Sequence, residues 1–440
     1  MTREARRRAI CTSGCTCLAA LVLVIAACGC AQAEGEFIRS FCYAGKGNAF
    51  RVNSPGTAMG RYRDRWEAKQ TGELKLRIGM DLDHVRRAEL YLELWGGHPG
   101  VARKRFTLNG KATYALPEVG AAAGHCTYSY PAVELKLDDL VPGVNAFQFT
   151  CDKGQAFWGH YLLRAACVRL AVASGHPSIR RAGLTGFAAR VSAKPAGGDA
   201  IKLSVSCPRA LRERIASVEY WGRYRGYDEN GDGNSEDFHG FTKDLKPVGI
   251  IAVAGGPSFE ADWDLSMVPD SRQLAVRAVV RFKGASDLAF VTDPLTDVSF
   301  PRRKGLVRLI YAKNLPRPFW SRAGRKKMCT LMLDDDLEQV ERAQLHLTVW
   351  DGGRGKVASP LRLNGKAMPT PRWRGRHDLL YTVLDLDPSA LRKGANEVLV
   401  HSDTAHHGIE VCLPGPALVV RLRGPTARTK AAEQDATARR

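Results

Sequence analysis

Between Asp228 and Asp237 the chain reads Asp228-Glu-Asn230-Gly-Asp232-Gly-Asn234-Ser-Glu236-Asp237. Counted from Asp228, side-chain oxygens stand at positions 1, 3 and 5, a glycine at 6, the Asn234 carbonyl at 7 and Glu236 at 9. This is the order in which calcium loops wrap a hard cation in oxygen, the glycine allowing the sharp turn. Position 12 is His239, where such loops carry a bidentate glutamate, so Asp237 would have to supply the closing carboxylate. A structural Ca2+ is therefore the cofactor expected, with an acidic surface turn as the competing explanation.

A second set of residues is aromatic. Trp95, His98, Trp158, His160 and Tyr161 fall in or beside expected loops between residues 95 and 161, and Trp350 and Trp373 stand in the last third of the chain. Rings at such positions stack on the apolar faces of sugars, while histidines bond hydroxyl groups. Trp95 and Trp350 also fit as plugs at the ends of their own cores. His406-His407 have no partner at a recognisable metal-ligand spacing and read as loop. No Gly-x-Ser-x-Gly elbow, phosphate-binding glycine loop or His-Glu-x-x-His is present, and nothing in the sequence nominates a catalytic residue.

The elements that would position these residues are short strands, and two stretches are versions of each other. Ala88-Glu-Leu-Tyr-Leu-Glu-Leu-Trp95 and Ala343-Gln-Leu-His-Leu-Thr-Val-Trp350 both alternate apolar and polar residues, the period of a strand with one buried face. In each copy an Asn-Gly pair (Asn109-Gly110, Asn364-Gly365) follows the tryptophan by fourteen residues, and Asn-Gly is a hairpin-turn signal. Each copy then ends in a Gly-x-Asn segment, Gly143-Val-Asn145 and Gly394-Ala-Asn396. Between the copies, further strand-like runs at 201–206, 215–221, 258–263, 273–282 and 288–292 have no counterpart elsewhere.

The strand-Trp-Gly segments, the middle Asn-Gly turn and the late Gly-x-Asn resemble galactose-binding-like β-sandwich domains, which occur as carbohydrate-binding or structural modules in secreted bacterial proteins. The resemblance covers the two outer units. It implies an all-β protein of two related jelly-roll or galactose-binding-like sandwiches, at 34–175 and 306–424. By strand count, an immunoglobulin-like sandwich at 176–305 lies between them. Such sandwiches carry binding, enzymatic and structural roles alike, so the resemblance implies a fold more than an activity.

Residues 1–33 read as a signal peptide, with Arg3, Arg6, Arg7 and Arg8 before the apolar run 18–27. Two cleavage positions compete: before Cys28, which would then carry a lipid, or after Ala33. Either places the protein outside the cytoplasm, at the cell surface, in the periplasm or beyond, and sets nucleic-acid partners aside. Membrane contact would come only through a lipid on Cys28. Export permits disulfides, and Cys126–Cys151 within the first copy is the expected pair, with Cys329–Cys412 a second candidate. The formal charge of +20 includes +3 from residues 1–33 (four Arg, one Glu). The remaining cations are spread along the chain and favour acidic polysaccharides among glycan partners. Residues 425–440 read as a disordered basic tail.

The function expected on these grounds is an exported, non-catalytic, carbohydrate-binding protein. A structural or adhesive envelope protein that binds other proteins is the alternative, and a polysaccharide-processing enzyme ranks below both.

Overall fold

The structure is a computed structural model, and it describes residues 35–44, 50–53, 72–97, 101–117, 127–152, 160–271, 274–298 and 305–424. The expected signal peptide, Cys28, His98, Cys126, Trp158 and the C-terminal tail lie outside the described residues. Among the described residues no helix is long and apolar enough to cross a membrane.

The fold is all-β, as the alternating sequence requires, and its sheets are antiparallel. In the first sandwich one sheet runs in the order Glu73–Ile78, Gly143–Asp152, Ala102–Leu108, Ala112–Ala115. In the last, one sheet runs Lys326–Leu333, Gly394–His401, Leu361–Leu363, Lys366–Ala367. The facing sheets also correspond: Glu36–Ala44, His160–Val172, Val85–Trp95, Ala132–Leu135 against Leu306–Tyr311, Ala417–Leu422, Val340–Gly352, Asp378–Leu386. Leu74, Leu76 and Ile78, like Leu331, Leu333, Val398 and Val400, point their alternate side chains into the core between the sheets.

The repeated asparagines form the same clasp in both sandwiches. Asn109 Nδ2 donates to Asn145 Oδ1 at 2.9 Å and to Asp139 O, while Asn109 Oδ1 accepts from Ala146 N. Asn364 Nδ2 donates to Asn396 Oδ1 at 2.8 Å and to Ala390 O, and Asn364 Oδ1 accepts from Glu397 N. Asn145 and Asn396 are fully buried, so each amide has to be satisfied inside the protein, and this arrangement does so.

The central unit is not separated from the first sandwich by its hydrogen bonding. Glu36–Ala44 pairs on one side with His160–Val172 and on the other with Ala285–Val291, so an eleven-stranded sheet runs through both. A three-stranded sheet, Arg190–Gly197, Ala200–Ser206 and Ala261–Asp264, packs against its central part. One hydrophobic core accordingly extends from Leu74 and Phe106 to Val280 and Trp263, while the last sandwich has its own.

Among the described residues Cys42 and Cys167, directly opposed on neighbouring strands, form a disulfide that was not foreseen from spacing. The partners are 125 residues apart and are brought together only by strand register. Cys329 and Cys412 do not pair: Cys329 faces the last sandwich's core and Cys412 a separate cluster described below. Cys151 is buried in the first core.

Candidate functional site

The segment between strands Ile215–Arg225 and Ala252–Ala254 holds the acidic motif and joins three parts of the protein. It leaves the sheet at Gly226, turns through 228–235, returns as Glu236–Phe238 beside residues 223–225, and forms the hairpin Phe241–Lys243/Lys246–Val248. The hairpin docks on the first sandwich, where the buried Glu93 carboxylate accepts from Thr242 Oγ1 at 2.5 Å and from the Asp244 and Leu245 amides, each at 2.7 Å. Tyr91 OH lies 2.7 Å from the same Thr242 hydroxyl. Toward the last sandwich, Tyr227 OH donates to Gly415 O at 2.8 Å and accepts from Thr348 N, and Tyr311 OH donates to Gly226 O and accepts from Asp228 N. Lys243 pairs with Asp378. A small apolar cluster of Trp95, Tyr128, Phe241, Leu379 and Cys412 closes the junction.

This placement corrects the expected aromatic platform. Trp95 is 9% exposed, His160 and Tyr161 are buried, and Trp373 is 2% exposed with its Nε1 donating to Thr382 Oγ1. Trp95 and His160 pack on each other at 5.5 Å in the junction. Tyr161 sits in the first core and Trp373 in the last. Trp350 is half-buried and lies 5.5 Å and 5.6 Å from the exposed His377 and His407. The tryptophans at the strand ends are therefore core and interface residues, because what they face is another part of the same chain.

The acidic loop folds into a ladder of turns. Asp228 carboxylate oxygens accept from Asp232 N and Gly233 N, Asn230 Oδ1 accepts from Asp232 N, Asp232 Oδ1 from Asn234 N, and Asn234 Oδ1 from Glu236 N. Burial, reinforced by the Asp232 and Glu229 carboxylates, pushes Asp228 up to about 6. Burial and the neighbouring Asp232 push Asp237 up to about 7. Asp228, Asp232 and Asp237 thus carry mutually repelling charge that a cation would relieve, and the donors are all oxygen, as calcium prefers. Among the described residues, no three His, Cys, Asp or Glu side chains gather into a metal-binding group, so a cation here would depend on Asn230, Asn234 and main-chain oxygens as well. Glu236 is exposed and pairs with Arg225 at 4.0 Å, away from that set.

Beside the loop lies a feature the sequence concealed. His239 is 3% exposed and Glu229 6%. His239 Nδ1 is 2.9 Å from Glu229 Oε2, and Nε2 is 2.7 Å from Tyr224 O. Both nitrogens face acceptors, which only the doubly protonated ring satisfies as a donor. Burial opposes that charge, but Glu229 and the Tyr224 carbonyl outweigh it and hold the His239 pKa above the ordinary range. The ring stacks on Tyr224 at 3.8 Å, and Glu229 also accepts from Gly240 N. The only sequence signal was a histidine where the calcium pattern wants a glutamate.

A cavity of about 250 Å³ opens between this segment and the last sandwich. Its wall includes Tyr224, Tyr227 and Tyr381, the carboxylates of Glu229 and Asp264, and Arg342, Gln344 and His346. Tyr227 and Tyr381 stack at 5.7 Å with ring planes 5° apart. His346 Nδ1 is 2.9 Å from Tyr381 OH, and burial pushes its pKa down to about 4, so the ring is neutral. Phenol rings, a neutral imidazole, an amide, a guanidinium and two carboxylates around a small cavity can hold a polyhydroxylated ring and can offer it an acid or a base.

No protein-family profile and no curated protein matches the chain. Solved structures do match, and they are carbohydrate-active proteins rich in β-structure. One is a beta-porphyranase of glycoside hydrolase family 86 from the human gut bacterium Bacteroides plebeius: 13% identity, TM-score 0.24, covering 55% of this chain and 37% of that one. Another is an FMN-binding beta-glucuronidase from Facaelibacterium prausnitzii L2-6: 11% identity, TM-score 0.19, covering 51% and 31%. A third is the glycoside hydrolase domain of Endo-D from Streptococcus pneumoniae R6: 11% identity, TM-score 0.21, covering 52% and 31%. The chain spans about a third of the length of these structures. Against the expectation of a non-catalytic binding protein, these matched structures are glycoside hydrolases.

Proposed function

We propose that the chain takes part in carbohydrate processing outside the cytoplasm, and that the cavity beside the 226–250 segment holds a single saccharide ring. The observation that carries this reading is the wall of that cavity: Tyr224, Tyr227 and Tyr381 beside Arg342, Gln344, Glu229 and Asp264. At about 250 Å³ the cavity lies just below the range of pockets for drug-sized ligands, about 300–1,000 Å³, so it suits one ring and not a long chain. Glycoside hydrolysis requires two carboxyl groups with different tasks. Glu229 is buried and fixed by His239 and Gly240, whereas Asp264 is exposed, so the two differ in environment as such tasks require.

Around this site, the two outer sandwiches are read as duplicated galactose-binding-like domains, supported by their common strand order and asparagine clasp. Loop 228–237 is read as a structural Ca2+ loop whose ligands, drawn from Asp228, Asn230, Asp232, Asn234, Asp237 and main-chain oxygens, would have to close around the ion, since among the described residues no three acidic side chains are gathered there. Residues 1–33 are read as an export signal.

The test is release of new reducing ends when the full chain is incubated with a panel of neutral and acidic polysaccharides. The reading expects release from at least one, lost in Asp264→Asn at unchanged melting temperature. No release from any member of the panel overturns it.

A further inference from the structure

The last sandwich carries a second cavity, of about 560 Å³, between the loops that follow strands Val340–Gly352 and Lys366–Ala367. We infer that this cavity is a binding site for an anionic saccharide, one bearing sulfate or carboxylate groups. The inference rests on the carbohydrate reading above and adds a substrate class to it.

Three observations carry it. The first is charge. Residues 353–376 contain Arg354, Lys356, Arg362, Lys366, Arg372, Arg374 and Arg376 and no Asp or Glu. A run of seven cations without an acid favours anions along this segment, and two of the seven, Arg354 and Arg374, line the cavity.

The second is the state of the two arginines on the cavity wall. Arg354 and Arg374 are exposed, and each is held by one backbone carbonyl, Ala358 O at 3.4 Å and Pro371 O at 3.1 Å. Among the described residues neither pairs with a carboxylate, in contrast to Arg421 with Asp199 and Arg281 with Glu219. Their remaining N–H groups are free to form the paired hydrogen bonds by which guanidinium recognises planar or tetrahedral oxyanions.

The third is shape. The volume lies inside the range of about 300–1,000 Å³ of sites for drug-sized ligands, well above that of a bare sulfate ion. The two loops are fixed: Gly375 N donates to Asp351 Oδ2 at 2.6 Å and Lys356 N to Asp403 Oδ1 at 2.9 Å. The nearby acids are thereby engaged with loop amides. Gly375 and Gly353 bring the loops into direct backbone contact, a methyl group at Gly375 coming within 3.2 Å of Gly353 Cα. Trp373 packs beneath as an apolar floor.

The experiment is calorimetric titration of the full chain with a sulfated galactan oligosaccharide, its desulfated counterpart, inorganic sulfate and anionic phospholipid vesicles. The sulfated oligosaccharide should bind at least tenfold more tightly than the desulfated one and than inorganic sulfate, and the preference should shrink as salt rises. The double variant R354A/R374A should lose at least tenfold in affinity, and R354K/R374K should retain part of it, both with the wild-type melting temperature. Equal binding by wild type and R354A/R374A, equal binding of the desulfated sugar, or equal binding of sulfate or vesicles overturns the inference. A chain that binds the sulfated sugar yet releases no reducing ends loses the processing reading and keeps this site. One that releases them but is indifferent to both arginines loses this site alone.

Discussion

Replacing Glu229 by Gln keeps the side-chain shape and removes one charge from a buried pair. Its carboxylate lies 2.9 Å from His239 Nδ1 and also accepts from Gly240 N, with both side chains almost out of solvent. Removing one partner of a buried ion pair leaves the other charge uncompensated and costs about 3–5 kcal/mol. Because the pair sits at the root of the segment that joins all three units, the whole of that cost should appear in unfolding. Urea denaturation at pH 6 followed by fluorescence should show E229Q less stable by about 3 kcal/mol or more. The pH dependence has a fixed sign. The His239 pKa is raised in the folded state, so its contribution is complete below about pH 6.5 and lost as pH rises through the raised value. Asp228 and Asp237, raised to about 6 and about 7, act in the same direction: their contributions are complete below about pH 4 and lost as pH climbs through those values. Chelator-treated wild type should therefore lose stability from about pH 4 to pH 8, and E229Q should lose less of it above pH 6.5. E229Q within about 0.5 kcal/mol of wild type, a spread ordinary for surface changes, or a flat profile in wild type, would refute the reasoning.

Further predictions concern the same junction and the clasps. Calcium in millimolar excess should raise the melting temperature more at pH 8 than at pH 5, because binding requires Asp228 and Asp237 to be ionised; the shift should vanish in Asp232→Ala, and no shift at any pH contradicts the calcium reading. Gly226→Ala would place its methyl group 2.6 Å from His239 Cε1, so it should cost about 1–3 kcal/mol in urea denaturation by overpacking the Tyr224–His239 stack. Asn145→Ala and Asn396→Ala each strip a fully buried clasp of its partner, and each should lower stability by about 1–3 kcal/mol. Because they lie in different cores, the double variant should show additive losses, checked by the same denaturation.

Much of the strand content was legible because it is local. The period-2 run from Glu73 to Ile78 and the Asn109-Gly110 and Asn364-Gly365 turns carry their own geometry, and the strands formed where those signals stood. The repeated Gly-x-Asn announced that something in both copies needed an asparagine, though not that it was an amide clasp. What sequence hid was long-range. Whether Trp95 meets sugar, water or Leu379 depends on a partner nearly 300 residues away, and whether Cys42 meets Cys167 or another thiol depends on register. The 175/176 boundary was drawn where the repeated unit ends, yet Glu36–Ala44 bonds across it to Ala285–Val291. Glu229 carried no signal and His239 read only as a departure from the calcium pattern, since the pair exists only once residues 226–240 fold back on Tyr224.

The measurement that tests the central claim most directly is a crystal structure of the full chain grown with oligosaccharides of any polysaccharide from which it releases reducing ends. The account predicts one sugar ring in the cavity bounded by Tyr224, Tyr227 and Tyr381, within hydrogen-bonding distance of Asp264 or Arg342. Sugar bound elsewhere on the chain, with that cavity holding only water, would contradict it.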